Sequence, residues 1–349
     1  MIDGIINVYK ESGYTSHDVV AKLRGILKQK KIGHTGTLDP EAQGVLPVCL
    51  GKATKVCDLL TDRRKTYQAV MVLGVSTDTQ DMTGTVIEER PVTCSESDVR
   101  TCIRRFVGDQ EQIPPMYSAL KVNGKKLYEL ARQGIEVERR SRRITVYEIS
   151  IEQVSLPEVV MTVTCSKGTY IRTLCHDIGE ALGCGGCMKS LLRTKVGPFE
   201  LPDSLRLDEI EALRDDGKLD TAVRTTDSVF EGLRMLILSA ESERFVRNGN
   251  PLNIQLLRGC VFGDCGQYPA LQRETDGRSE IMSGDDVQTP GFPEEENRES
   301  SSASYPENRA FRKFPDGTQF RVYSADGSFL AVYQWMEQRH CCRPVKMFL

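Results

Sequence analysis

The chain has 349 residues, of which 39% are hydrophobic and 27% are charged, and its formal net charge is −3 at pH 7. This length and composition are typical of a globular protein with two domains, and no apolar run approaches the roughly 18 residues that a membrane span requires. The N-terminus enters a strand-like segment without the features of a signal peptide, so we expect a cytoplasmic protein.

The small net charge conceals an uneven distribution. Residues 1–200 contain 28 Lys and Arg against 24 Asp and Glu, whereas residues 201–349 contain 18 against 25. Residues 121–143 carry eight basic and three acidic side chains, a pattern that favours a bound polyanion over a merely solvated charged face. Residues 272–308 carry ten acidic and three basic side chains, and we expect this insert to be disordered.

The twelve cysteines and four histidines lack the spacing of a metal site. Cys184-Gly-Gly-Cys187 is the only CxxC motif in the sequence, and no second cysteine pair or histidine pair completes a tetrahedral set. We therefore predict reduced, mostly buried thiols and no metal.

The chain begins with a predicted strand over residues 4–9. A helix follows, for which we expect Ser16 as the N-cap and an apolar stripe formed by Val19, Val20, Leu23, Ile26 and Leu27. The helix ends in Lys28-Gln-Lys30-Lys31. These lysines either complement the helix dipole or contact phosphate, and the pattern leaves both interpretations open.

A loop of unusual composition follows, with the sequence GHTGTLDPEAQGVLP over residues 33–47. Its glycines permit positive φ angles, and Pro40 restricts the residue before it, so Asp39 should be held stiffly. The apolar run from Val45 to Leu50 should anchor the loop on a buried strand or helix. By itself the segment is either a plain connector or an active-site loop.

Further along, Tyr67 opens a predicted strand over residues 66–74, and Thr77–Gly84 is interpreted as a hydrogen-bonded turn without the closing residues of a calcium loop. A helix over residues 95–107 precedes the segment 113–143, which combines Pro-Pro and Asn-Gly turns with tyrosines and many cations. We interpret that segment as a projecting arm whose cations neutralise phosphates while its aromatic faces stack on bases.

Two alternating strands, 144–154 and 159–165, lead to a helix that begins near Tyr170. Arg172 lies off the apolar stripe of this helix, where it is either solvated or paired with a carboxylate from another loop. Short strands beyond residue 233 predict a small β domain, so we divide the chain into domains 1–233 and 234–349.

Taken together, these segments resemble the TruB family of bacterial tRNA pseudouridine synthases. The matching stretches are GHTGTLDPEAQGVLPVCLGKATK (33–55), KTY (65–67), TDTQDMTG (77–84), IPPMYSALKVNGKKLYELARQGIEV (113–137), SKGTYIRTL (166–174) and LLRTKVGPF (191–199). The resemblance implies an α+β pseudouridine-synthase fold, with a mixed, mostly antiparallel sheet flanked by helices. It also implies that residues 113–143 are an RNA-gripping insertion and that the C-terminal domain is a PUA-like RNA-binding β domain.

The resemblance further implies a function, which is the isomerisation of uridine 55 in the T arm of tRNA to pseudouridine on a flipped-out base. The family needs no cofactor or metal for this reaction, and we expect a monomer that binds tRNA and no membrane. By analogy Asp39 is the nucleophile, Arg172 pairs with it, and Tyr67 stacks on the uracil and assists proton removal at C5. The substrate-binding positions implied in the same way are His34, Tyr170, Leu191 and Lys10, where Lys10 lies in Tyr9-Lys10-Glu11 instead of the Asp-Lys-Pro of many relatives.

Three alternatives fit the residues less well. A carboxylate-dependent glycoside hydrolase would need a second acid partnered with Asp39. A phosphate-binding P-loop would need four residues between its glycines, whereas six separate Gly44 from Gly51. A non-catalytic RNA-binding or tRNA-folding protein would explain the arm and the β domain, but not Asp39, Tyr67 and Arg172 together.

Overall fold

The computed structural model describes residues 1–122, 124–266 and 314–349. The chain separates into two compact units, Met1–Val229 and Phe230–Leu349. The acidic segment 272–308 lies outside the described residues, so its expected disorder stays a prediction.

The first unit contains strands and helices in alternation. In chain order they are β1 (Gly4–Lys10), α1 (Ser16–Leu27), β2 (Ile32–His34), β3 (Gln43–Leu50), α2 (Cys57–Thr61), β4 (Lys65–Leu73), β5 (Val75–Thr77), β6 (Val86–Glu89), α3 (Glu96–Arg104), β7 (Gly108–Gln112), β8 (Lys121–Val122), β9 (Lys125–Lys126), α4 (Leu127–Ala131), β10 (Arg142–Ser155), β11 (Glu158–Cys165), α5 (Ile171–Ala181), β12 (Gly186–Val196), β13 (Phe199–Glu200), α6 (Leu207–Asp215) and β14 (Val223–Arg224). Short 3₁₀ helices occur at Gly51–Val56, Leu201–Asp203, Leu219–Ala222 and Thr226–Phe230.

One large sheet organises this unit. Its strand order is β14-β1-β3-β12-β4-β11-β10-β7, with β2 paired to β3 and β13 paired to β12. Of its pairs within the described residues, β12 with β3 is parallel and the others are antiparallel. The predicted α+β fold with a mixed, mostly antiparallel sheet is confirmed.

Helices pack on the large sheet in two places, because apolar and polar side chains alternate along the strands and leave one face apolar. Along β4 every second residue from Lys65 to Leu73 is buried, as expected for a strand with one covered face. These side chains join a core with residues of α3 and α5. A second core lies under α1 and α6, against β1 and β3.

The start of α1 corrects one expectation. Thr15, and not Ser16, is the N-cap, because its hydroxyl accepts from the Asp18 amide at 3.1 Å while the Asp18 carboxylate accepts from the Thr15 amide at 2.8 Å. This is a reciprocal capping box. The buried Ser16 hydroxyl accepts instead from the amide of Leu38, at 3.0 Å.

Within the described residues, the second unit is a small β structure with two short α-helices. Its elements are β15 (Arg234–Ile237), α7 (Ala240–Arg247), β16 (Leu252–Asn253), α8 (Ile254–Leu257), β17 (Val261–Gly263), β18 (Gln319–Tyr323), β19 (Phe329–Met336), a 3₁₀ helix (Glu337–Arg339) and β20 (Cys341–Met347). The described strands form one sheet in the order β16-β20-β19-β18-β15-β17. The expected C-terminal β domain is therefore present.

Among the helices of the described ranges, none combines the length and the apolar character needed to cross a bilayer.

Gly44 allows the parallel pairing of β3 with β12. It pairs with Arg193 across β3 and β12 and has a φ angle of +103°. A Cβ atom at this position would lie 2.3 Å from the Arg193 carbonyl oxygen. Only glycine allows the two backbones to approach this closely, and the approach fixes Arg193 beside the glycine-rich loop.

We predict that Gly44→Ala destabilises the protein by about 1–3 kcal/mol more than Gly13→Ala does. Gly13 is a matched control because its φ angle is also positive, +85°, but a Cβ there would meet nothing within 4 Å. The free energies of unfolding of both variants are compared by urea denaturation. Equal losses would mean that the contact with β12 is not limiting.

Candidate active site

The loop between β2 and β3 is fastened to its surroundings at several points. The Thr35 amide and hydroxyl both donate to the Pro47 carbonyl, at 3.2 and 3.1 Å. The Gly13 amide donates to the Pro40 carbonyl at 3.0 Å, and the Leu38 amide donates to Ser16. The loop that carries Asp39 is therefore held in one conformation by hydrogen bonds to its surroundings.

Lys10 supports this loop from below. Its ammonium group donates to the carbonyl oxygens of Glu11, Pro40 and Ala42 at 3.0, 2.9 and 2.7 Å, and the residue is fully buried. Burial lowers the pKa of Lys10 to about 8, partly opposed by the negative charges of Glu41 and Asp39. Because the three ammonium donors are all used by the backbone, Lys10 holds the shape of the loop.

Asp39 meets Arg172 across the site. Arg172 Nε lies 2.9 Å from Asp39 Oδ2, and an Nη donates to Asp39 Oδ1 at 3.2 Å. The Nε contact is an ion pair without good hydrogen-bond alignment. Arg172 is only 4% exposed, whereas the Asp39 side chain is 39% exposed. A buried cation thus holds a carboxylate that remains open to a ligand, and the alternative of a solvated Arg172 does not hold.

Arg172 also joins three segments that are distant in sequence. Its guanidinium donates to the carbonyls of Thr79 and Tyr117, both at 2.9 Å. Asp81 Oδ2 lies 3.7 Å from Nε. The Thr77–Gly84 turn is hydrogen-bonded as expected, with Asp81 accepting from the Thr79 hydroxyl at 2.7 Å, but it also supplies the second carboxylate near Arg172.

Tyr67 lies on β4 directly opposite Arg193 of β12. Both are nearly inaccessible, at 8% and 1% exposure. Burial raises the pKa of Tyr67, and the Arg193 guanidinium and its hydrogen bond oppose that rise. The phenol is consequently neutral at neutral pH, with a cation beside its hydroxyl.

Tyr170 is positioned through its backbone. The Gln112 side chain donates to the Tyr170 carbonyl at 3.0 Å and accepts from its amide at 2.8 Å. This pair of bonds fixes the residue that precedes α5 and, through it, Arg172. Burial raises the pKa of Tyr170, and the negative charge of Asp39 adds to the rise.

His34 stands apart from the ion pair. Its ring packs edge-on against His17, with centroids 5.1 Å apart, and its Nδ1 lies 3.1 Å from the Gly36 carbonyl. Burial lowers the pKa of His34, so the ring is neutral at neutral pH. In the part of the chain that the structure describes, no hydrogen bond or ion pair joins His34 to Asp39.

A small cleft of about 30 Å³ opens beside Asp39. Its lining includes Leu191 of β12, Ala42 of the loop and Asp81 to Thr83 of the turn. This volume is far below that of a ligand pocket, so the cleft marks an approach to Asp39 and not a preformed pocket for a base or a cofactor. Across the described ranges, no cluster of three or more His, Cys, Asp or Glu side chains could hold a metal ion.

The structure therefore brings Asp39, Arg172, Tyr170 and Leu191 together, with Tyr67 and Lys10 packed behind them and His34 to one side. Sequence reasoning missed Asp81, Gln112 and Arg193. Arg193 stands inside the quoted LLRTKVGPF stretch, two residues after Leu191, and a cation in an otherwise buried strand was a usable signal.

Comparison with solved structures identifies the fold. A structure titled as an H/ACA RNP bound to a substrate RNA containing 2′-deoxyuridine matches with a TM-score of 0.64 at 23% identity, and it covers 99% of this chain and 85% of the other. A Cbf5-Nop10-Gar1 complex matches with the same TM-score at 25% identity and the same coverage. The large sheet and its flanking helices form the pseudouridine-synthase fold, as predicted.

Sequence comparison then identifies the family. Residues 24–171 match the model of the TruB family pseudouridylate synthase N-terminal domain, and residues 172–242 match the tRNA pseudouridylate synthase B C-terminal domain. The chain belongs to the TruB family of pseudouridylate synthases.

Relatives named tRNA pseudouridine synthase B align over much of the chain. The protein of Lachnoclostridium phytofermentans is 46% identical over the full length of both chains. That of Clostridium kluyveri is 53% identical over 60% of this chain and 73% of its own, and that of Bacillus subtilis is 46% identical over 71% and 83%. The predicted family membership is confirmed.

We predict that Arg172→Met loosens both segments that its guanidinium holds. Loss of the charge-assisted bonds to Thr79 and Tyr117 should speed backbone hydrogen exchange around those residues by about tenfold or more. Exchange in α6 should not change. Arg100→Met is the control, because Arg100 is a surface residue paired with Glu96. Unchanged exchange near Tyr117 would mean that the arm is anchored independently of Arg172.

Proposed function

We propose that this protein isomerises uridine to pseudouridine in tRNA, at uridine 55 of the T arm, with Asp39 as the nucleophile. The relatives' name supports tRNA as the substrate. The observation that carries the proposal is the Asp39–Arg172 ion pair, in which a buried guanidinium holds a partly exposed carboxylate.

The chemistry requires a carboxylate of this kind. The N-glycosidic bond of uridine breaks and a C–C bond to the same sugar forms, so an ionised acid must add covalently or stabilise positive charge at the sugar. Arg172 fixes the carboxylate by two contacts while leaving it partly exposed. A guanidinium stays charged at any working pH, so the ion pair that orients the Asp39 carboxylate does not depend on the titration of Arg172.

The position of Asp39 determines which conformation of the RNA can bind. A stacked or paired uridine cannot reach Asp39, so the base must leave the stack, at a cost of about a few kcal/mol. Stacking on an aromatic ring returns about 1–3 kcal/mol per base, and Tyr67 is the ring that we assign to this role. Leu191 and Tyr170 supply further apolar surface for the uracil, and the bound RNA limits the access of water to the open carboxylate while the uracil turns over.

The loop has two further residues with assigned parts. Lys10 acts on the substrate indirectly, because its hydrogen bonds to the Pro40 and Ala42 carbonyls fix the backbone position of Asp39. His34, neutral and partly buried next to His17, is assigned to the space that the flipped base leaves.

The arm is assigned to the tRNA backbone. Its base is anchored to the site through the bond from Arg172 to the Tyr117 carbonyl. Arg140 and Arg142 are exposed, whereas Arg139 contacts Glu136 and the Pro114 carbonyl and Arg143 pairs with Asp109. Arg140 and Arg142 are consequently the cations of this cluster best placed to meet phosphates.

We predict that Asp39→Asn lowers tritium release from C5-labelled uridine in a T-arm stem-loop by at least about 10³-fold. The asparagine keeps the shape of the side chain but removes its charge and nucleophilicity. Glu41→Gln is the matched control, since Glu41 lines the same cleft but bonds to Ser12 instead of Arg172. Release by Asp39→Asn within tenfold of the unmutated protein would contradict the assignment.

We also predict that Arg140→Gln with Arg142→Gln weakens tRNA binding and reduces its salt dependence. Each lost phosphate contact should lower the slope of log K against log salt concentration by about 0.7–0.9. Filter binding over a salt series measures this slope, with Arg100→Gln as the surface control. An unchanged slope would identify the cluster as a solvated face.

A further inference from the structure

Arg193 is a buried cation with no assigned part in the proposed reaction. It is 1% exposed and is among the largest fully buried side chains of the described residues. Its Nε donates to the Val45 carbonyl at 2.7 Å. No carboxylate of the described ranges forms an ion pair with it, and one Nη has no hydrogen-bond acceptor in line.

In this environment, an arginine with a purely structural role would lower the stability of the fold. An arginine that is removed from water without an acid partner is unfavourable compared with an apolar residue of similar size, and a buried donor without an acceptor adds to that penalty. The bond to Val45 uses only one of the five guanidinium N–H groups. A tie between β3 and β12 alone would not require an arginine.

The neighbours of the guanidinium are functional residues. Tyr67 is its direct cross-strand partner, and their side chains lie on the same buried face. On another side, the guanidinium lies 3.8 Å from the point where a Cβ of Gly36 would stand, so it is beneath the loop that carries Asp39. Its burial excludes direct contact with RNA, so it must act through another residue.

We propose that Arg193 is a positioning residue for Tyr67: its guanidinium, packed against the phenol, makes the Tyr67 oxygen an acceptor and directs the single Tyr67 O–H toward the substrate base. A guanidinium can only donate, so the phenol cannot donate to it. The O–H then has one direction left, away from β12. The positive charge of Arg193 opposes the rise in the pKa of Tyr67, and a cation beside the phenol oxygen strengthens the hydroxyl as a donor.

This inference rests on the proposed function and extends it to a residue that does not touch the substrate. It differs from a core-packing role in one measurable respect. If Arg193 works through the Tyr67 hydroxyl, its removal should matter only while that hydroxyl is present.

The test is a double-mutant cycle on single-turnover tritium release from the T-arm stem-loop. We expect Arg193→Met to slow release about 10- to 100-fold in the otherwise unmutated chain, the effect of one charge-assisted hydrogen bond. In the Tyr67→Phe background the same change should slow release less than about threefold. The Kd for the stem-loop should stay within about threefold in all four proteins. Lys195→Gln, on the same strand but exposed and paired with Glu200, should change nothing.

A second variant protects the test against misfolding. Arg193→Lys keeps the positive charge, so it should fold. A lysine cannot donate to Val45 and Tyr67 at once with a planar fork of donors, so release should slow less than in Arg193→Met, and again mainly when the Tyr67 hydroxyl is present. Equal slowing in both backgrounds overturns the inference, as does failure of both variants to fold, because either result assigns Arg193 to the core. Absence of release by the unmutated protein overturns the proposed function itself and the inference with it.

Discussion

The Asp39–Arg172 ion pair is the interaction on which the rest of the site depends. A buried arginine needs a compensating partner, and Arg172 is compensated by Asp39, by Asp81 nearby and by two backbone carbonyls. Those partners come from the loop after β2, the turn after β5 and the base of the arm. The charge that orients the carboxylate therefore also draws together the three segments that surround it.

The scaffold limits the motion of this pair from both sides. Lys10 and Ser16 hold the loop that carries Asp39, and Gln112 holds the backbone just before Arg172. In the proposed reaction, this support keeps the Asp39 carboxylate in position while the base turns over beside it. The loop has few regular strand partners for its backbone carbonyls, so several of these carbonyls accept hydrogen bonds from side chains instead.

Much of the fold could be predicted from local patterns. Alternation marked β10 and β11, and apolar stripes marked α1 and α5. Sequence motifs also identified the family and the position of Asp39. What local patterns could not give were contacts set by strand register and by loops that meet in space. Asp81 is indistinguishable from a turn aspartate until Arg172 is placed next to it, and Arg193 becomes a partner of Tyr67 only when β12 pairs with β4. The capping error at Ser16 has the same origin, because its hydroxyl is taken by a distant amide.

The central claim is that this geometry converts one particular uridine of tRNA. Its most direct test is the mapping of pseudouridine, nucleotide by nucleotide, in an unmodified tRNA transcript incubated with the protein alone. The account predicts pseudouridine at position 55 in nearly every molecule and at no other uridine. A transcript that stays unmodified at position 55, or that carries the modification elsewhere, would contradict it.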